Sequence, residues 1–136
     1  MSDYAKPLPP DDAANRPFRD GARRGVLMLQ RCGDCGRHRF PATRYCAACR
    51  GESSEWVAAS GRGVVESFCT FHKAYWPGFE RDVPYDVVQV RLDEGVQLFS
   101  NLVGVPRERI RTGLRVRAHF DAVTPEVTLV KFVPAD

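Results

Sequence analysis

The sequence predicts a mainly β protein, built as an N-terminal helix and a four-cysteine zinc ribbon followed by a five-stranded OB-fold barrel. Three observations carry this. Cys32, Cys35, Cys46 and Cys49 form a Cys-x2-Cys…Cys-x2-Cys frame. Five stretches of strand composition run from Gly63 to Val133. A single helical turn is expected between the third and fourth of them, which is the order of an OB barrel.

The cysteine frame is the most specific feature. Each pair bends a short turn around one point, and two such turns close a tetrahedron around zinc. Gly36 and Gly51 follow the pairs and Gly33 lies inside the first, where a knuckle aiming N–H groups at sulfur is expected to need positive φ. Two disulfides are the alternative, but no leader pattern opens the chain and closely spaced Cys-x2-Cys pairs make poor structural disulfides. With four thiolates as ligands, no coordination position stays open for water, so the metal is structural and metallohydrolase chemistry is not expected. His38 is expected as a surface residue rather than a fifth ligand. Cys69 has no partner in the frame and reads as a small core residue.

Along the chain, residues 1–15 (MSDYAKPLPPDDAAN) lack periodicity and read as a flexible arm. Arg16 to Gly25 is expected to form a short helix, with Phe18 and Ala22 on one face and Gly25 ending it. Val26–Arg31, Arg39–Pro41 and Trp56–Val57 supply the ribbon strands, so residues 16–58 form the helix and ribbon and 59–136 the barrel. Gly63–Phe71 is rich in β-branched and aromatic residues. In Tyr85–Leu92, Val88, Val90 and Leu92 alternate with polar neighbours. Asp93–Glu94–Gly95 is a hairpin turn, and Val96–Leu102 returns. Pro106 to Ile110 gives one helical turn. Leu114, Val116, Ala118 and Phe120 then alternate with Arg115, Arg117 and His119, which leaves His119 facing solvent. Val127 to Val133 is the last strand.

Composition bounds the rest. The formal net charge is +3, and residues 1–60 carry ten Lys/Arg against seven Asp/Glu while residues 61–136 carry ten against ten. Arg31, Arg37, Arg39, Arg44 and Arg50 surround the knuckles; they are either a solvated surface or a place for the phosphates of a nucleotide-like cofactor. No run approaches the ~18 apolar residues of a membrane span. Acids at Asp3, Asp11, Asp12 and Asp20 argue against a secretory leader, and zinc-bound thiolates imply a reducing compartment, so a cytoplasmic protein without a membrane partner is expected.

The loop Phe71–Asp82 concentrates four aromatics between the first two barrel strands. His72, Lys73, Tyr75, Trp76, Phe79 and Arg81 are the candidates for contact with a partner protein or with acyl-CoA, because aromatics beside cations suit a docking surface. Equally, Tyr75, Trp76 and Phe79 are able to fold back and cap the barrel. No nucleophile–base pair accompanies His72 and Lys73, so no catalytic residue is assigned.

The chain resembles the rubredoxin-like zinc-ribbon plus OB-fold family associated with acyl-CoA metabolism, long catalogued as a domain of unknown function. The matching residues run from Leu27 through Gly36, Phe40–Pro41, Cys46–Cys49, Glu55–Trp56 and Ser60–Phe68. They continue through Val83–Tyr85, Leu92–Val96, Leu102–Gly104 and Thr112–Val116, and the resemblance covers roughly residues 16–134. The family usually has Pro after the third cysteine and Gly after the fourth, where this chain has Ala47 and Arg50. The resemblance implies a non-catalytic accessory subunit that docks on a thiolase-fold enzyme (a thiolase, an acyltransferase or a steroid side-chain aldolase) and helps form its acyl-CoA channel, in a heterotetramer. It also implies a MaoC-like enoyl-CoA hydratase as an alternative partner. A single-stranded nucleic-acid binder is the reading from another class, with Arg115, Arg117 and His119 outward. The neutral charge balance of residues 61–136 argues against it.

Overall fold

The computed structural model describes residues 4–135; the arm's residues 1–3 and the barrel's last residue, 136, lie outside them. After a 3-10 turn at Ala13–Asn15 comes helix α1 (Arg16–Arg23). It stops two residues earlier than the composition suggests, where Gly25 takes φ 75° and turns the chain into the ribbon. Ala22 is buried, and Phe18 packs on Phe40 with ring centroids 4.8 Å apart, so the expected face is the one that docks.

The ribbon is a three-stranded antiparallel sheet of β1 (Met28–Cys32), β2 (His38–Arg39) and β3 (Ser54–Ala58), with β1 in the centre. The barrel follows as β4 (Arg62–Phe71), β5 (Tyr85–Leu92), β6 (Gln97–Ser100), β7 (Arg115–Ala122) and β8 (Thr128–Pro134), in the order β6-β5-β4-β7-β8. A 3-10 turn at Arg107–Arg109 sits between β6 and β7, where one helical turn was expected. All five barrel strands fall within two residues of the stretches that composition and alternation mark.

Two features turn this sheet into a barrel. The register of β4 against β5 shifts between Val65 and Ser67, a bulge that bends β4 so that Arg62–Val64 pair with β7 while the remainder pairs with β5 alone. At the far side the chain after β6 closes on β8. Leu102 bridges Phe132 in parallel, the Phe132 N–H donates to the Asn101 carbonyl at 3.0 Å, and the Ser100 hydroxyl donates to the Val130 carbonyl at 2.7 Å.

The core follows from the alternation. Val88, Val90, Leu92, Val116 and Phe132 are essentially inaccessible to water. Leu27 and Leu29 of the ribbon belong to the same cluster, so ribbon and barrel share one interior. Cys69 does not join it: contrary to the sequence reading it is exposed, because it lies on the outward side of β4 opposite Val87, in the stretch that β7 does not cover. His119 is exposed as expected. Among the described residues no helix is long and apolar enough to cross a membrane.

Candidate metal centre and aromatic face

Cys32 ends β1 and Cys35 closes the turn after it; Cys46 and Cys49 form the matching turn before β3. The two knuckles have the same hydrogen-bond plan. In the first, the Cys32 N–H donates to Arg37 O at 2.8 Å and the Gly36 N–H to Cys32 O at 3.0 Å. In the second, the Cys46 N–H donates to Gly51 O at 2.9 Å and the Arg50 N–H to Cys46 O at 2.8 Å. The repeat brings all four sulfurs within 4.8 Å of one another.

The sulfur separations test the metal reading. Cys32 Sγ lies 3.5 Å from Cys49 Sγ, and Cys35 Sγ lies 3.7 Å from Cys46 Sγ. A tetrahedron with metal–sulfur bonds of ~2.3 Å has edges of about 3.8 Å, whereas a disulfide requires ~2.05 Å. The cysteines are all free, and the four are placed to hold one zinc ion. His38, on β2 opposite Arg31, is not among the groups so placed.

The backbone favours the thiolate at the first cysteine of each knuckle. N–H groups of Cys35 and Asp34 aimed at Cys32 lower its thiol to about 6, and those of Cys49 and Ala48 lower Cys46. At Cys49 the Gly51 N–H favours the anion, but Cys32, loss of solvation and the other two sulfurs oppose it and together push the thiol up to about 12. Four anions this close need a dication among them, and metal binding releases the last protons.

The strained position of the second knuckle differs from the expected one. Positive φ falls on Gly36 (78°) and on Arg50 (65°), not on Gly51 or Gly33. Those two glycines serve close approach: a Cβ at Gly33 would run into the Ser53 hydroxyl, and one at Gly51 into the Asp34 carboxylate. Of the knuckle arginines, Arg39 donates to Gln30 Oε1 at 2.9 Å and to Thr43 O at 3.1 Å. Arg44 pairs with Glu52 at 3.2 Å, and Arg31 reaches Gly36 O at 3.4 Å. These three stitch the ribbon together.

The loop between β4 and β5 divides its aromatics between two tasks. Phe71 and Tyr85 stack at 5.2 Å and 10°, Phe79 leans on Tyr85 at 5.2 Å, and Tyr75 meets the Phe71 edge at 6.0 Å. Phe79 is half-buried, folded back onto the base of the loop, with Lys6 over its ring at 5.2 Å. Tyr75 and Trp76, at 61% and 64% exposure, face solvent, and Lys73 lies 5.2 Å over the Tyr75 ring. His72, Lys73 and Arg81 are exposed beside them.

Below the loop Asp86 accepts from the Thr70 hydroxyl at 2.7 Å and from Arg107 Nε at 2.8 Å, while Arg107 Nη2 reaches Pro84 O at 3.1 Å. Burial opposes its ionisation, but these donors outweigh burial and hold the carboxyl below the ordinary carboxylate range. The loop therefore rises from a fixed base. Asp86 and Arg107 escaped the sequence reading because twenty-one residues separate them, and only the barrel's curvature brings them together.

Comparison with known proteins adds to this geometry. Residues 19–55 match the family model of the ChsH2 rubredoxin-like zinc ribbon domain, and residues 56–121 that of the ChsH2 C-terminal OB-fold domain. A DUF35 domain-containing scaffold protein of Methanocaldococcus jannaschii is 31% identical over 81% of this chain and 78% of its own length. A probable enoyl-CoA hydratase alpha subunit of Thermomonospora curvata is 36% identical over 96% of this chain, which spans only 41% of that protein. Among solved structures, a chain of an Ltp2-ChsH2(DUF35) aldolase superposes with a TM-score of 0.83 at 34% identity, covering 95% of this chain and all of that one.

Proposed function

The chain belongs to the DUF35 family of ChsH2-type zinc-ribbon plus OB-fold proteins, and from that premise we propose that it is a non-catalytic subunit docking on a thiolase-fold enzyme and helping to form that enzyme's acyl-CoA channel. One observation carries the reading most: the superposition, end to end, on a chain of an aldolase assembly. The site agrees. The zinc is coordinatively closed, and the exposed aromatic face presents rigid contact area of the sort that anchors interfaces. A rigid barrel wall beside a pantetheine tunnel excludes water and holds an acyl group within reach of a nucleophile on the other chain, which raises rate without lending a catalytic residue. The docking face we assign to Tyr75 and Trp76, with His72, Lys73, Phe79 and Arg81 as their surround. One copy per subunit of a dimeric enzyme makes a heterotetramer in the reducing cytoplasm.

The test is co-expression with a thiolase-fold enzyme of the same host. The two proteins co-purify, the isolated chain turns over no thioester, and Trp76→Ala weakens assembly about thirtyfold or more, as loss of an aromatic anchor does. Recovery of the two proteins separately at micromolar concentration overturns the proposal.

A hydratase partner is the second reading, favoured by the similarity to a hydratase alpha subunit along nearly the whole chain. It expects the same co-purification with a MaoC-like hydratase in place of the thiolase-fold enzyme.

A further inference from the structure

The chain from His72 to Pro84 joins β4 to β5 without a strand or helix of its own, and so long a connection keeps one shape only where something fastens it. Its base is fastened by the Phe71–Tyr85 stack and by Asp86 with Arg107. Farther out, the N–H groups of Asp82 and Val83 both donate to the Phe79 carbonyl, at 2.9 and 3.3 Å, which makes one tight turn. What lies against that turn is the beginning of the chain.

Lys6 Nζ pairs with the Asp82 carboxylate and lies 5.2 Å over the Phe79 ring and 5.9 Å over that of Tyr4. The Lys6 side chain is only 25% exposed, so this charge is screened less than one in an open surface pair. Beside it the arm's backbone rests on Gly78, which takes φ 92°. A Cβ at Gly78 would collide with the Ala5 carbonyl and press on the Lys6 nitrogen. Glycine is required there twice, by its own conformation and by the arm.

The other end of the arm is fastened as well. Asp11 holds Arg19 of α1 at 2.7 Å, Asp12 accepts from the Asn15 N–H at 2.9 Å, and Asn15 Oδ1 accepts from the Ala42 N–H of the ribbon at 3.2 Å. Between the two ends run Pro7, Leu8, Pro9 and Pro10, with φ fixed by the ring at three of the four positions. A stiff span tied at both ends transmits position where a slack one does not. From Lys6 the contacts continue through Phe79 to Tyr85 at 5.2 Å, from Tyr85 to Phe71 at 5.2 Å, and from Phe71 to Tyr75 at 6.0 Å. The route ends at the exposed aromatic face.

We propose that residues 4–10 are a strap that holds the β4–β5 loop in the shape that presents Tyr75 and Trp76, with Lys6 as the positioning residue and Gly78 as the seat of the arm. A loop already held in its bound conformation binds more tightly, because association no longer has to order it. This consequence for docking rests on the partner-subunit reading. The strap itself does not, and it is tested on the isolated chain.

The experiment is amide hydrogen exchange of the zinc-loaded full chain, read by NMR at Asp82 and Val83. Lys6→Ala speeds exchange at both about tenfold or more, and removal of residues 2–8 speeds it further. Lys6→Arg stays within about threefold of the wild type, because a guanidinium keeps both the ion pair and the cation over the ring. Adding Asp82→Asn to Lys6→Ala costs little more, since the two residues share one contact. The amides of β7 and β8 and the urea midpoint do not move. Lys131→Ala, which removes a cation held by Asp121 at 2.6 Å, leaves the loop as it was. Co-purified with the partner enzyme, the chain lacking residues 2–8 associates about tenfold more weakly, as the docking-competent fraction falls. Unchanged loop exchange in both Lys6→Ala and the shortened chain overturns the proposal. So does faster exchange spread evenly over the barrel, or Lys6→Arg exchanging as fast as Lys6→Ala. An enzyme that holds the full and shortened chains equally tightly overturns the strap's part in docking, whereas one that binds neither sinks the docking reading and leaves the exchange result standing.

Discussion

Arg50 occupies the one left-handed backbone position taken by a residue other than glycine among the described residues, at φ 65°, in a knuckle whose twin has Gly36 at φ 78°. A side chain in this conformation costs roughly 1–2 kcal/mol, and a glycine returns about 0.5–1 kcal/mol of that through its larger unfolded-state entropy. The net gain expected from Arg50→Gly is about 1 kcal/mol. No ion pair or hydrogen bond of the Arg50 side chain is lost among the described residues, and the residue is exposed. Because knuckle folding and zinc binding are one equilibrium, the gain reads out as affinity, and 1 kcal/mol is about fivefold. The assay is competition for zinc against a chromophoric chelator. Arg50→Gly holds zinc about fivefold more tightly, Arg50→Asn falls between, and Arg50→Ala shows no gain because it removes the charge and keeps the Cβ. The mirror experiment, Gly36→Arg, weakens zinc by a similar factor, since a Cβ there meets the Arg31 guanidinium only at ordinary distances, Nη2 at 3.5 Å and Nε at 3.9 Å, and the cost is conformational. If Arg50→Gly binds zinc no better than Arg50→Ala, backbone strain is not what distinguishes the two knuckles.

Three further outcomes are expected. Cys49→Ser removes one ligand from a closed site, so zinc content drops well below one per chain by elemental analysis and the amides of residues 28–58 lose exchange protection. Phe132→Ala empties a fully buried position at the closure of the barrel and lowers stability by about 3–5 kcal/mol in urea titration. For Asp86, the folded-state carboxyl is depressed, so as acid is added the unfolded chain takes up the proton first. Its contribution is complete above the ordinary carboxylate value of about 3.9 and disappears as pH falls through the lower folded value. Asp86→Asn is therefore less stable than wild type at neutral pH by about 1–2 kcal/mol, and the two converge in acid; a gap that widens in acid contradicts the assignment.

Much of the architecture is written locally. The Cys-x2-Cys pairs specify their own turns through hydrogen bonds spanning five residues, and the Leu114–Phe120 alternation states which side of β7 faces inward. What local pattern does not state is which strand lies beside which residue. Cys69 has strand composition on both sides and reads as core, yet the bulge at Val65/Ser67 carries it past the end of β7 into solvent. The Arg62–Arg117 juxtaposition depends on a register that joins residues fifty-five apart in the chain. The aromatic loop shows the same limit: composition marks it as unusual, but only packing separates Phe79, which folds inward, from Tyr75 and Trp76, which do not. In the second knuckle the glycine and the strained residue are neighbours, and composition pointed to the glycine.

Leu27 and Leu29 lie on the ribbon side of the chain and complete the hydrophobic interior of the barrel. Grafting this ribbon onto a foreign barrel would strand two leucines in water and leave the donor barrel with a gap to refill. Lineages that shuffle domains would thus inherit the pair as a single cassette, and engineered chimaeras should be cut outside residues 16–134 rather than at the Ser60 junction.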